Sequence, residues 1–574
     1  MRGSRITIGI WLLLGTLTCV GLFLMEACGG AANSTSSSGG DTSTQDVTTY
    51  PAPEVALGER LFLETRFAQF FATHMTGINQ PLSAGDPVVA VVQTTTGTLP
   101  GPFAGHSINC RSCHFVTEFE GGAGNRSYSD FTTRSPLPRT INGFDHTPRN
   151  AEQMVGSLMA RSGPTFLHGD GEFVDSIDLV QSTLTGRNFG WSPSEQSQAI
   201  AHIAQVIRQD DGTSKLAADR SGGLSYSTLL LGTSSSISPQ FLIPTAYRLN
   251  LQAASDQQVL AAVAKLIQAY MAALLFEQNA AGVYFGTPYD VFLQLNDLPR
   301  QPNPGETIAA YNQRLLQSVI ALKHTKFVSK LNGSFKYHSQ TFQFGTNELA
   351  GLKIFLSSAV GANDGSQHAG NCASCHAAPN FTDFVFHCTG VSQEEYDAAN
   401  GTGSFMNLAV PSLAQRNANY NQYLPMTLNH PSATEAFRHI AVAGQPQFAD
   451  LGMWNVYLNP DMPNPQQTLA GVVCAPGNDC SVDRGLASTI AQFKTPNLRD
   501  LADSNPYFHN GSKLTLQDVV NFYVFNSQLA RQGNLRNPPP QFQSMSIDQT
   551  DVSNLVAFLQ SLTVDYDDTH LPAQ

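Results

Sequence analysis

The chain has 574 residues, 41% of them hydrophobic, enough to bury more than one core and to divide into two domains. A net charge of -13 with only 31 Lys and Arg excludes nucleic acid as an expected partner and suits a protein that must stay soluble after export.

Residues 1–28 read as an export signal, with Arg2 and Arg5 ahead of an apolar run from Ile6 to Leu24. The run ends Leu24-Met25-Glu26-Ala27-Cys28, which resembles a bacterial lipoprotein box with Cys28 as the lipid-bearing residue. That predicts a lipid anchor on the periplasmic side of a bacterial membrane, with a soluble periplasmic protein or an uncleaved anchor as alternatives. Residues 29–50 form a Gly/Ser/Thr tether too poor in large apolar side chains to fold.

The folded part opens at Leu57-Gly58-Glu59-Arg60-Leu61-Phe62, a helix-forming segment ahead of a Gly-rich loop that carries Cys110-Arg111-Ser112-Cys113-His114. Two thiols three apart can add across the vinyl groups of one haem, and the adjacent histidine can take its iron. Cys372-Ala373-Ser374-Cys375-His376 repeats the pattern. With 9 Cys and 15 His, chance would give C-x-x-C-H about 0.004 times per chain. A zinc site, a disulfide or a thioredoxin-type pair would explain the cysteines, but not a histidine at the same offset twice. Two covalently bound haem c groups are therefore expected.

Between and after the motifs the periodicity is helical, and the near absence of two-residue alternation predicts little sheet. Ser192-Pro193-Ser194-Glu195 is a capping box with Pro at the first helical position, ahead of Ile200, Ile203 and Ile207. Asp256 is the expected cap of a helix with Val259, Leu260, Val263, Ile267, Tyr270 and Leu274 on one stripe. Further helices are expected at about 306–323, 348–356, 516–525 and 548–562. Each half shows a motif, an Arg/Pro/Asn segment, a Gly turn and an apolar helix, which suggests two related one-haem units. The predicted fold is mainly α: two cytochrome c-like haem lobes, residues 51–285 and 286–574, with long loops and helical insertions. Cys474 and Cys480 flank a Pro-Gly loop and can close a disulfide, and Cys388 reads as a small buried hydrophobe.

Several segments together resemble the dihaem cytochrome c peroxidase and MauG family. They are Leu57 to Phe62, both C-x-x-C-H motifs, Asn380-Phe381-Thr382-Asp383, Phe386-His387, Asp450-Leu451-Gly452, Phe493 to Arg499 and Asn505 to Gly511. Stretches at about 190–345 and 400–490 look like insertions. The resemblance implies that His114 and His376 are proximal iron ligands, the first haem reacting with peroxide and the second transferring electrons. It places Tyr523 as the far ligand of the second haem, with Met426, Met453 and Met462 as thioether alternatives. A phenolate favours ferric iron and lowers its potential. It also implies a calcium held by Asn150, Ser504 and Pro506, whose oxygen donors suit that cation.

Two positions depart from the family pattern. Gly169 stands where the family has its inter-haem Trp, leaving Trp191 as the only tryptophan nearby in sequence. Asn188 stands where the distal Glu is expected, and an amide cannot act as a carboxylate base. Glu172 is the substitute the sequence offers, although a lone Glu beside a turn is by default a solvated surface residue. The expected function is an exported dihaem oxidoreductase that reduces hydrogen peroxide, or uses it to oxidise a partner, in exchange with a redox protein. An electron-transfer cytochrome without peroxidase activity is the alternative.

Overall fold

The computed structural model describes residues 51–80, 88–94, 97–104, 108–114 and 136–564, apart from 142, 162, 280, 336–339, 359–367 and 475–480. The expected export signal, Cys28, the tether and the Cys480 half of the expected disulfide lie outside the described residues.

The chain is mainly α-helical, and its described strands form three two-stranded antiparallel sheets. The helix Pro53–Phe62 crosses the helix Asp256–Ala273 at Gly58, where a Cβ would sit 2.1 Å from the carbonyl oxygen of Leu266. The helix Thr346–Leu356 crosses Val552–Gln560 at Gly351 in the same way, with Asn554 O at 2.0 Å from a Cβ. In both cases only glycine lets the backbones approach so closely.

A second pair of segments repeats more closely still. Leu167 and Phe173 form an antiparallel bridge around a tight turn, as do Tyr507 and Lys513. In the first turn His168 (φ 60°) and Gly171 (φ 76°) are left-handed, and in the second Phe508 (φ 70°) and Gly511 (φ 63°) are. Gly171 N donates to His168 O at 3.1 Å and Gly511 N to Phe508 O at 3.0 Å. Asp175 then caps the helix Ser176–Leu184, and Thr515 caps Leu516–Arg531. The chain therefore carries two copies of one plan: crossing helix, C-x-x-C-H, bridged turn, capped helix, second crossing helix.

Three apolar cores hold these elements. The first gathers Leu57, Phe62, Trp191, Ile203 and Tyr270 around the first copy, and the second gathers Phe292, Phe355, Val520 and Phe558 around the second. A third, with Phe386, Phe437, Trp454 and Leu486, is built almost entirely from residues 386–491.

Local expectations needed small corrections. The cap of Asp256–Ala273 is Ser255, in a box with Gln258, because Ser255 keeps the extended backbone a cap requires; Asp256 is the first helical residue and pairs with Arg208 at 2.5 Å. The box at Ser192 forms, but its first turn, Pro193–Glu195, is a 3-10 turn before the helix Gln196–Gln209. The hairpin Val88–Thr94 and Gly97–Ala104 occupies what read as a Gly-rich loop.

Candidate functional site: two Cys-x-x-Cys-His turns and a cavity

Each C-x-x-C-H segment is a single 3-10 turn, Cys110–Ser112 and Cys372–Ser374, that brings the histidine back under its own first cysteine. His114 N donates to Cys110 O at 3.1 Å, and His376 N to Cys372 O at 2.7 Å. The first turn is braced by Asn109, whose side chain accepts from Ser112 N and donates to Leu63 O. Burial, with the neighbouring thiol adding to it, pushes Cys110 and Cys372 up to about 12, as expected of apolar-lined sulfurs.

Both imidazoles are oriented in one way. His114 Nδ1 lies 2.7 Å from Glu152 O and His376 Nδ1 lies 3.1 Å from Phe381 O. A carbonyl can only accept, so Nδ1 carries the proton and the lone pair is on Nε2, the arrangement a metal-binding histidine needs. Glu152 is itself held: against burial, Lys494 at 2.9 Å keeps its carboxyl below the usual range. Beside the second turn, His387 pairs with Asp383 at 2.7 Å.

Tyr523, on Leu516–Arg531, packs with Cys372 against the second core, its ring edge-on to Phe542 at 5.9 Å and Phe508 at 6.2 Å. Burial first, and then Cys375 and Cys372, hold its hydroxyl in the protonated form, so it lies within electrostatic reach of both sulfurs. The three methionines weighed against it lie elsewhere. Met453 is fully buried in the third core, and Met426 and Met462 pack against that core.

Asn150 reaches the Asn505 to Gly511 segment: its backbone N donates to His509 O at 2.6 Å and its Nδ2 to Pro506 O at 2.7 Å. Its Oδ1 is buried without a hydrogen-bond partner. Ser504 directs its hydroxyl to Asp500 O. An orphaned amide oxygen beside a carbonyl oxygen is a donor set that fits a hard cation.

Asn188 and Glu172 both line one cavity of about 400 Å³, together with Thr183, Arg187, Trp191 and residues from 425 to 465, including Met426 and Arg438. Glu172 is not a solvated surface residue, the default for a lone Glu beside a turn. Arg438 donates to it at 2.6 Å and His168 Nδ1 lies 2.9 Å away. Burial opposes its ionisation, yet Arg438 and His168 hold its carboxyl well below the usual range. Arg149 completes the cluster, bridging Asp170 at 2.5 Å and Asp450 at 2.6 Å. Gly169 has Phe493 beside it, 3.6 Å from where a Cβ would stand, and Phe493 stacks on His509 at 3.5 Å. Trp191 is fully buried, its indole bonded to Phe67 O. Cys388 is buried too, and burial pushes its thiol up to about 12. His168 and Arg438 were not singled out in the sequence; aligning the chain on itself, residues 167–173 on 507–513, would have shown His168 in the place of Phe508.

No family model matches the chain. It is 26% identical over 199 residues to the cytochrome-c peroxidase IdrP2 of Denitromonas iodatirespirans, covering 34% of this chain and 36% of that protein. Over 70 residues it is 37% identical to the methylamine utilization protein MauG of Methylophilus methylotrophus, covering 12% of this chain and 19% of that one. The chain thus spans about a third or less of the length of the curated relatives it matches. Among solved structures, the diheme peroxidase BthA of Burkholderia thailandensis E264 is 16% identical, with 90% of this chain and 87% of that chain covered at a TM-score of 0.39. Over these stretches the chain is similar to cytochrome-c peroxidases and to MauG, in agreement with the family that its paired C-x-x-C-H motifs and flanking segments resemble.

Proposed function

We propose that the protein is an exported dihaem c-type oxidoreductase that reduces hydrogen peroxide, or uses it to oxidise a partner, and exchanges electrons with a redox protein. Cys110, Cys113 and His114 would hold one haem, and Cys372, Cys375 and His376 the other, with Tyr523 on the far side of the second. Haem iron supplies the redox chemistry once bound. The chain's own residues decide which site admits a substrate.

The observation that carries this reading is an asymmetry between the two copies. Tyr523 is the eighth residue of its capped helix, and the eighth residue of the matching helix is Thr183. Where the second copy presents a phenol, the first presents a short hydroxyl side chain on the wall of the cavity. In this reading Tyr523 would close one site and suit it to electron transfer, while the other, with Thr183 at the matching position, would keep room for a small molecule. Asn150, Ser504 and Pro506 would share a calcium ion joining the copies, and Cys28 would carry a lipid on the periplasmic side of a membrane.

The second reading, an electron-transfer cytochrome without peroxidase activity, is favoured by Asn188, which cannot serve as a base, and by Glu172, which is held in an ion pair. The pure protein should carry two haems through denaturation by intact mass. Peroxide added in the oxidised and reduced states should be consumed, with a spectral change at one haem. Full haem loading without peroxide consumption in any redox state would select the second reading.

A further inference from the structure

The two C-x-x-C-H histidines turn to carbonyls of different kinds. His376 meets Phe381, 5 residues on and buried in the second core, whereas His114 meets Glu152, 38 residues on and charged. The Nδ1–H bond of a metal-binding histidine orients its ring and tunes the strength of Nε2 as a ligand, so whatever holds the accepting residue bears on the metal. What holds Glu152 comes from the other half of the chain. Lys494 Nζ donates to Glu152 Oε2 at 2.9 Å and to Phe166 O at 3.3 Å, and Lys494 N donates to Gly169 O at 2.7 Å. Gly169 leaves the carboxylate its place, since a Cβ there would stand 3.3 Å from Glu152 Oε1. The strand Phe493–Lys494, which delivers the lysine, pairs with Phe386–His387. Thr495 O then accepts from Thr382 Oγ1 at 2.7 Å, next to Phe381. One short segment thus runs from the partner of His114 to the neighbour of the partner of His376.

We infer that Lys494 is a positioning residue through which the second half of the chain sets the potential of the haem held at His114. It keeps the Glu152 carboxylate paired, so that His114 has an ion pair beside it and not a bare negative charge. The inference rests on the haem assignment of the proposed function and not on its peroxide chemistry.

The carboxylate lies within electrostatic reach of His114. The Lys494 side chain is 16% exposed and that of Glu152 40%, so water weakens the pair without erasing it. Ferric iron carries one more positive charge than ferrous iron. An uncompensated anion nearby therefore lowers the potential, and an uncompensated cation raises it. Removing one partner and removing the other break the same contact, yet they leave charges of opposite sign. The Glu152 carbonyl remains in every variant, so the bond from His114 is not itself deleted.

The test uses the haem-loaded full-length protein, with loading checked by intact mass and both haems titrated by spectroelectrochemistry. The variants are Lys494→Met, Glu152→Gln, the two combined, and Lys494→Arg. Lys494→Met should lower the potential of the first haem and Glu152→Gln should raise it. The double variant should bring it back toward the wild-type value, and Lys494→Arg, which keeps the charge, should leave it there. The second haem should shift less in every case. Shifts of the same sign in the two single variants, no shift in either, or equal shifts at both haems overturn the assignment, because a contact that is only structural is lost alike from either side. If Lys494→Met does not fold, Glu152→Gln carries the test: a raised potential that the double variant reverses supports the assignment, and any other result overturns it. A protein without haem at Cys110 and Cys113 overturns this inference and the haem assignment together. Peroxide enters no arm of the experiment, so inertness toward it bears on the proposed function alone.

Discussion

Tyr523 and Thr183 show how much depends on a single side chain in a duplicated plan. Tyr523→Phe keeps the ring that packs against Phe542 and Phe508 and removes only the oxygen. The absorption spectrum of the second haem should change and that of the first should not; an unaltered spectrum returns Tyr523 to the role of a core aromatic. If the proposed function holds, the reciprocal change, Thr183→Tyr, should close the first site and bring peroxide consumption down to background without altering the second haem. Local geometry was legible wherever it was contiguous. Each C-x-x-C-H is written in five neighbouring residues, and its turn follows from them. The ion pair that holds Glu172 was not legible, because its partner Arg438 lies 266 positions away and no local pattern announces that contact.

At the scale of the element, helices were legible because their apolar stripes recur every three or four residues, and their errors have physical causes. The helix read as ending near Phe525 runs on to Arg531. Asn526 and Ser527 look like breakers, but Asn526 donates to Thr389 O and Ser527 to Val524 O, so both sit buried with partners. The hairpin at Val88 was missed because an unbroken apolar run has no alternation to mark it as strand. The glycine crossings give a test of the element scale. Gly351→Ala would force a Cβ against Asn554 O at 2.0 Å, and overpacking of this kind costs about 1–3 kcal/mol, so the melting temperature should fall. A buried ion cluster offers a second. Asp210 accepts from both Arg60 and Arg66 with no exposed side-chain surface. Asp210→Ala would leave two buried guanidinium groups short of their partner, a loss of about 3–5 kcal/mol measurable by denaturant unfolding.

At the scale of the whole molecule, what the sequence could not show is how the segment from 386 to 491 joins the first copy. It has its own core, which Phe166 enters edge-on to Phe386, and it also meets residues 149–172 through charge: Arg149 on Asp450, Arg438 on Glu172 and Asp170. Burial opposes ionisation of Glu172 and Asp450, but Arg438 and Arg149 hold both carboxyls below the usual range. A carboxyl depressed in the folded state contributes stability that is fully present above its unfolded value, about 4, and is lost as pH falls through the folded value. The melting temperature should therefore be level from pH 7 down to about 5 and drop below about pH 4, with little response to salt because the pairs are buried. Arg438→Gln removes the partner that opposes the burial penalty of Glu172. The folded-state carboxyl should then titrate at higher pH, so the acid transition should move upward as well as the protein losing about 3–5 kcal/mol at neutral pH. Thermal melts of both proteins across pH 3 to 8 read the two effects separately. An equal drop at every pH, with the acid transition in place, would mean that Arg438 acts through packing and not through its charge on Glu172.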